Sequence, residues 1–246
     1  MQKDNFSHDS EAYKIYRPEY PQSLFDYLKE LPVQKDLMWD AGTGNGQMVK
    51  GMASVFSRIE ATDISSAQLS QAIHYNNVTY SLQAAEQTNL NEGSVDLITV
   101  AQAIHWFDFD LFYSEVRRVA KRDAVIAVIG YSRPKLKPEI DKLLDEFYTQ
   151  TVGPYWDKER HYVDEAYKTI PFPFKEILVP DFSMNYIWKM SQFIGYLSTW
   201  SAVKHYKAKT GNDPMPDFSR KLESLPGTDT EIKIEFPLLL RVGMVN

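Results

Sequence analysis

Hydrophobic residues in the first half of the chain form short runs separated by segments in which apolar positions recur every three or four residues. The runs lie near residues 37–41, 59–63, 78–82, 95–101 and 124–131. The spaced segments lie near 21–30, 45–56, 66–75, 108–121 and 136–150. Short bounded runs predict strands, and three- and four-residue spacing predicts helices with one apolar stripe. The runs at 95–101 and 124–130 carry apolar side chains on both faces, as central strands do. Strands alternating with helices predict an α/β fold with a parallel sheet covered on both sides.

The rhythm changes after about residue 150. Tyr155, Trp156, Tyr162, Tyr167, Trp188, Tyr196, Trp200 and Tyr206 crowd this interval, and Pro171, Pro173, Pro180, Pro214 and Pro216 interrupt it. Residues 232–243 alternate at first and then become apolar, which predicts a final strand returning to the sheet. Pro237 within it predicts an irregular or edge position. The expected organisation is therefore a core with an N-terminal lid segment over 1–150, a cap insertion over 151–230 and a returning strand over 231–246. Aromatic stripes are more often core than ligand cage, so packing of the cap is the first explanation for them.

Composition narrows the function classes. The chain has 246 residues, a net charge of -6 and no cysteine, so disulfides and thiolate metal sites are excluded. No long basic run is present, and nucleic acid is not the expected partner. The polar N-terminus and the lack of a long apolar run predict a cytoplasmic protein without membrane contact, monomeric or homodimeric. No cluster of acids and histidines suggests a bound metal.

The segment from Leu37 to Gln47 carries the clearest chemistry. An apolar run ends in Asp40, glycines follow at Gly42, Gly44 and Gly46, and a helical pattern comes next. Glycine suits a backbone that turns with positive φ or lies against a ligand. The third glycine falls one residue too early for the dinucleotide fingerprint, and no Gly-Lys-Ser/Thr triplet follows. Asp63 ends the second strand 17 residues after Gly46, where a carboxylate can accept hydrogen bonds from both hydroxyls of a ribose. Ser65 is the expected cap of the helix that follows. Gln102 and His105 come just after the fourth strand, on the side where open α/β sheets bind ligands.

With these residues in view, the chain resembles the class I S-adenosylmethionine-dependent methyltransferases. The D-x-G-x-G-x-G arrangement at Asp40–Gly46 looks like their first motif. The segments around Tyr13–Pro21, His105–Asp108, Thr199–Ser201 and Pro237–Gly243 are similar to the branch containing trans-aconitate-type carboxyl methyltransferases and the type 11 methyltransferases. The resemblance implies a Rossmann-like, seven-stranded, mostly parallel sheet with helices on both faces and a helical, aromatic cap inserted before the last strand. It implies S-adenosylmethionine as methyl donor and S-adenosylhomocysteine as product, with no metal. It places Asp40, Gly42, Gly44, Asp63, Ile64, Ala85, Glu86 and Gln102 around that cofactor, with Tyr13 and Arg17 closing over it.

A small-molecule acceptor is expected, methylated at a carboxylate oxygen. A carboxylate is ionised at pH 7 and needs only a cation or donors to orient it, for which Arg17 and Arg133 are candidates. A hydroxyl acceptor needs a base, for which His105 is the candidate. His105 and Arg17 are thus the candidate catalytic residues. Three other readings stand beside this one: methylation of protein or RNA, a cofactor-binding protein without catalysis, and a nicotinamide-dependent oxidoreductase.

Overall fold

The computed structural model describes residues 16–225 and 231–245. Its strands are β1 (Leu37–Ala41), β2 (Arg58–Asp63), β3 (Val78–Leu82), β4 (Val95–Ala101), β5 (Ala120–Tyr131), β6 (Lys175–Ile177), β7 (Ser183–Lys189) and β8 (Glu231–Val245). The helices of the first half are α1 (Gln22–Leu28), α2 (Gln47–Met52), α3 (Ser66–Leu69) and α4 (Phe109–Val119). Those of the second half are α5 (Pro138–Glu146), α6 (Arg160–Asp164), α7 (Met190–Ser198), α8 (Ser201–Thr210) and α9 (Met215–Glu223). The helix expected near 66–75 shrinks to the four residues of α3. Ser65 caps it as expected, accepting from the Gln68 N–H at 3.3 Å.

The strands run in the order β3-β2-β1-β4-β5-β8-β6, with β7 also paired to β8. Neighbours from β3 to β5 are parallel, and every pairing made by β8 is antiparallel. Among the described residues the sheet thus has eight strands where seven were expected. The extra pairing comes from the 151–225 interval, which supplies β6 and β7 as well as helices. Strand β6 has three residues, too few for an alternating pattern to register.

Pro237 sits where β8 changes partners. Residues 231–237 pair with β7, and residues 238–245 pair with β5. Proline has no N–H to give to a ladder, so this junction suits it. The strand itself runs on through Pro237, and further along its residues 242–244 also pair with β6.

Alternation assigns the two faces. On one, Met38, Ile59, Leu97, Val125, Ala127 and Ile129 pack with Leu24, Leu28, Met48, Val49 and Met52 from α1 and α2. On the other, Trp39, Ile98, Val100, Ile126 and Val128 pack with Phe112, Val116 and Val119 from α4. A third cluster gathers the aromatics of the second half, Tyr148, Trp188, Phe193, Tyr196, Trp200 and Phe218, around Ile232, Ile234 and Phe236 of β8. Most of the aromatic richness after residue 150 is therefore core. Among the described residues no helix is long and apolar enough to cross a membrane.

Several polar side chains penetrate this apolar interior, and Asp40 ties two of them together. Asp40 is 1% exposed, and its two oxygens accept hydroxyl hydrogens from Thr43 and Thr99, each at 2.6 Å. The carboxylate joins β1 to β4 and to the loop that follows β1. Burial pushes its pKa up to about 6; the two threonines act in the opposite sense, and nearby Asp63 adds to the rise. A folded-state pKa above the unfolded value means that the native state holds its proton more tightly between about pH 4 and pH 6. Stability from this group is therefore lost as pH rises through that window, by about 3 kcal/mol. An Asp40→Asn variant, which cannot titrate, should gain about that much relative to wild type between pH 4 and pH 7, whatever the offset at pH 4. Urea midpoints across this range check it, and a pH-independent difference would contradict it.

Candidate active site

The strand order reverses between β1 and β4: from β1 the sheet grows outward through β2 to β3, and the chain then returns to place β4 on the other side of β1. Ligand crevices open beyond the carboxyl ends of strands at such a point. A cleft partly open to solvent lies there. Its walls come from the ends of β1, β2, β3, β4 and β5.

The loop after β1 forms the floor. Gly42, Gly44 and Gly46 all have left-handed backbone, with φ of 67°, 56° and 83°. A Cβ on Gly42 would lie 2.6 Å from the Cβ of Ala103, and one on Gly46 would lie 2.8 Å from the Tyr80 hydroxyl. At Gly44 the nearest atom to such a Cβ would be 3.9 Å away, so the space left by the missing side chain belongs to the cleft. Thr43 ties the loop down twice, through its hydroxyl to Asp40 and through its N–H to the Thr62 carbonyl at 3.0 Å.

Asp63 braces the same loop from the side. Its Oδ2 accepts from the Gly44 N–H and its Oδ1 from the Ser65 N–H, both at 2.8 Å. A carboxylate oxygen can take more than one donor. Two such oxygens facing the cleft suit the vicinal hydroxyls of a ribose, and the open side of Gly44 suits a group pressed against backbone. These acceptors and the bare backbone at Gly44 thus fit an adenosyl cofactor.

Gln102 is a further conformational exception, and the one among the described non-glycine residues of left-handed backbone that lines the cleft. It has φ of 54°, left-handed for a residue with a full side chain, at the mouth of the cleft. Its N–H donates to the Ile129 carbonyl at 2.8 Å, and its side-chain amide donates to the Tyr131 carbonyl at 3.2 Å. Backbone of this kind costs about 1–3 kcal/mol and concentrates at ligand sites.

Of the residues expected around a cofactor, Gly42, Gly44, Asp63, Ile64, Ala85 and Gln102 come together along the cleft wall. Asp40 lies beneath the loop, not on its surface. Glu86 turns aside to accept the Asp108 N–H at 2.9 Å. Arg17 sits behind the wall: its Nη1 donates to the Tyr131 hydroxyl at 2.9 Å, and its guanidinium lies 5.5 Å from the Tyr196 ring centre. Tyr13 lies outside the described residues. Arg133 is engaged by Asp145 at 2.8 Å and stacks on Tyr148, away from the cleft.

His105 is buried behind Trp106 and contributes nothing to the cleft lining. Its Nδ1 is 3.1 Å from the Tyr167 hydroxyl, and its ring packs 5.0 Å from that of Trp106. Burial drives its pKa down to about 3, and the positive charge of Arg160 adds to the effect. The imidazole is neutral throughout the physiological range.

Several lining residues were not singled out by sequence: Thr43, Gln68, Gln83, Trp106, Phe107 and Tyr131. Gln83 and Tyr131 follow or end β3 and β5, so the rule that ligands lie beyond strand carboxyl ends could have found both. Gln68 is one turn into α3 and carries no signal of its own.

Comparison with known proteins agrees with this geometry. The sequence model of the family described as "Methyltransferase domain" matches residues 39–128, from β1 into β5. A Dictyostelium discoideum protein named "putative methyltransferase" is 31% identical over 245 residues, covering 96% of this chain and 93% of its own. The solved structure of a "putative type II methyltransferase" from Anaeromyxobacter dehalogenans is 38% identical, with a TM-score of 0.85, covering 94% of this chain and 98% of its own. A Bacillus halodurans structure with the same designation, methyltransferase, at 14% identity and a TM-score of 0.53, shares the fold. The glycine loop, the ribose-type carboxylate and these full-length likenesses together make the chain a member of the class I S-adenosylmethionine-dependent methyltransferases.

Proposed function

We propose that this chain transfers a methyl group from S-adenosylmethionine to a carboxylate oxygen of a small acid. The amino-acid end of the donor lies over Gly42–Gly46, its ribose on Asp63, and its adenine towards Ala85 and Gln83. When bound, S-adenosylmethionine supplies an electrophilic methyl carbon on a sulfonium. An acceptor oxygen forms the new O–C bond as the C–S bond breaks, and its electron pair goes to sulfur. The protein's task is to align the two and exclude water, which can supply several kcal/mol of the barrier.

The observation that carries the acceptor class is the chemistry of the lining. Among the described residues, the cleft presents no histidine or lysine that could take a proton. His105 is neutral but enclosed, facing Tyr167 rather than the cleft. An acceptor that arrives already ionised needs no base. Tyr131 can orient it: its oxygen accepts from Arg17, which leaves its own proton to donate into the cleft it lines. Arg17 thus acts on the acceptor through Tyr131. A hydroxyl acceptor deprotonated by His105 is the weaker reading, since the ring would have to leave its buried position.

Asp63→Ala should weaken S-adenosylhomocysteine binding by about 1.5–3 kcal/mol, the scale of hydrogen bonds to a charged group. Calorimetry checks this, and unchanged affinity would remove Asp63 from the cofactor site. His105→Asn should retain most of the rate, and neither protein should show an activity limb near pH 6.5. The histidine's folded-state pKa is depressed, so its stability contribution is present above about pH 6.5 and is lost as pH falls towards 3. The Asn variant should therefore lose stability less steeply over that range. A dead Asn variant, together with a wild-type rate that rises through one ionisation near neutrality, would replace the carboxylate by a hydroxyl.

A further inference from the structure

The cap holds a second deep cation to which the mechanism above gives no role. Arg160 is the first residue of α6, and its guanidinium lies 4.9 Å from the Trp156 ring centre and 5.6 Å from that of Tyr148. Its Nε donates to the Tyr148 hydroxyl at 2.9 Å and lies 3.4 Å from Asp164 Oδ1. Tyr148 in turn donates to Asp164, with its oxygen 2.7 and 2.8 Å from the two carboxylate oxygens. These contacts all hold the Nε side. Among the described residues neither Nη atom has a hydrogen-bond acceptor, and 22% of the side chain remains accessible.

An arginine that only fastened the cap together would spend its N–H groups on neighbours, since unmet donors in a packed interior are costly. Here one edge is locked and the other is presented, which is how a guanidinium takes an oxyanion with two parallel hydrogen bonds. Its position relates it to the cleft from two sides. Helix α6 packs against the Ile104–Trp106 turn, and Tyr148 and Trp156 pack on Trp200, which meets Tyr196 beneath Arg17. Trp106 and Arg17's partner Tyr131 both line the cleft.

We propose that Arg160 is a specificity-determining residue whose free edge binds an oxyanion of the acceptor, a carboxylate or a phosphate. The inference rests on the chain being a small-molecule methyltransferase, but not on which acceptor atom receives the methyl group. Tyr148 and Asp164 act as positioning residues that fix the plane of the fork before the acceptor arrives.

Trp156 beside the guanidinium provides the readout. Benzoate, phenyl phosphate and the neutral isostere benzamide are titrated into the full chain with saturating S-adenosylhomocysteine, and tryptophan fluorescence is followed. At least one anion should bind saturably and about tenfold more tightly than benzamide, and the stronger anion identifies the preferred group. Arg160→Met should weaken that anion by about tenfold or more while leaving benzamide and S-adenosylhomocysteine affinities unchanged. Arg160→Lys, which keeps the charge without the fork, should give an intermediate value and carries the test if the Met variant does not fold. The proposal is overturned if neither anion binds up to roughly 50 mM, if benzamide binds equally well, or if the folded variant matches wild type. Alkaline release of methanol from labelled product reports separately on the methylated atom. A base-stable product would sink the carboxylate-oxygen reading and leave the Arg160 result standing.

Discussion

The site depends on a loop that could not hold its shape alone. Gly42, Gly44 and Gly46 place three left-handed residues within five, a backbone that is entropically expensive to order. Two carboxylates fix it. Asp40 holds it from below through Thr43, and Asp63 holds it from the side through the Gly44 N–H. The two acids differ in what they can do next. Asp40 is sealed under the loop with both oxygens occupied by threonine hydroxyls, whereas Asp63 lines the cleft. One acid is confined to the architecture, and the other braces the loop while lining the cleft.

The same division between scaffold and contact runs through the remaining polar groups. Arg17 meets the cleft lining at Tyr131, and in doing so ties the segment before α1 to β5 and to Tyr196 of α7. Glu19 strengthens that seam, exchanging backbone hydrogen bonds with the Tyr186 hydroxyl and pairing with Lys50 at 2.9 Å. The cleft is thus bordered by three separately packed clusters, and their junction is where Tyr131 and Gln102 lie.

How much of this the sequence discloses depends on whether the determining contacts are local. The strands from β1 to β5 are legible because each carries its own period and its own boundary. The loop and Asp63 are legible because glycine spacing and the end of an apolar run are properties of a few consecutive residues. Strands β6 and β7 are not, since they owe their existence to pairing with β8, more than forty residues further along. His105 shows the limit most clearly. Its place just past β4 suggests a base, but the following turn, Ile104–Trp106, presents Trp106 to the cleft and buries the imidazole against Tyr167. That choice comes from a residue 62 positions away, which no local pattern encodes.

The braced glycine loop and Asp63 suit an adenosyl cofactor and not a dinucleotide. Calorimetry of the unmodified chain with S-adenosylhomocysteine and, separately, with NAD addresses it directly. The predicted result is saturable binding of about one S-adenosylhomocysteine per chain, with no measurable heat from NAD at the same concentrations. Binding of NAD as tight as or tighter than that of S-adenosylhomocysteine, or no binding of S-adenosylhomocysteine at all, would contradict it.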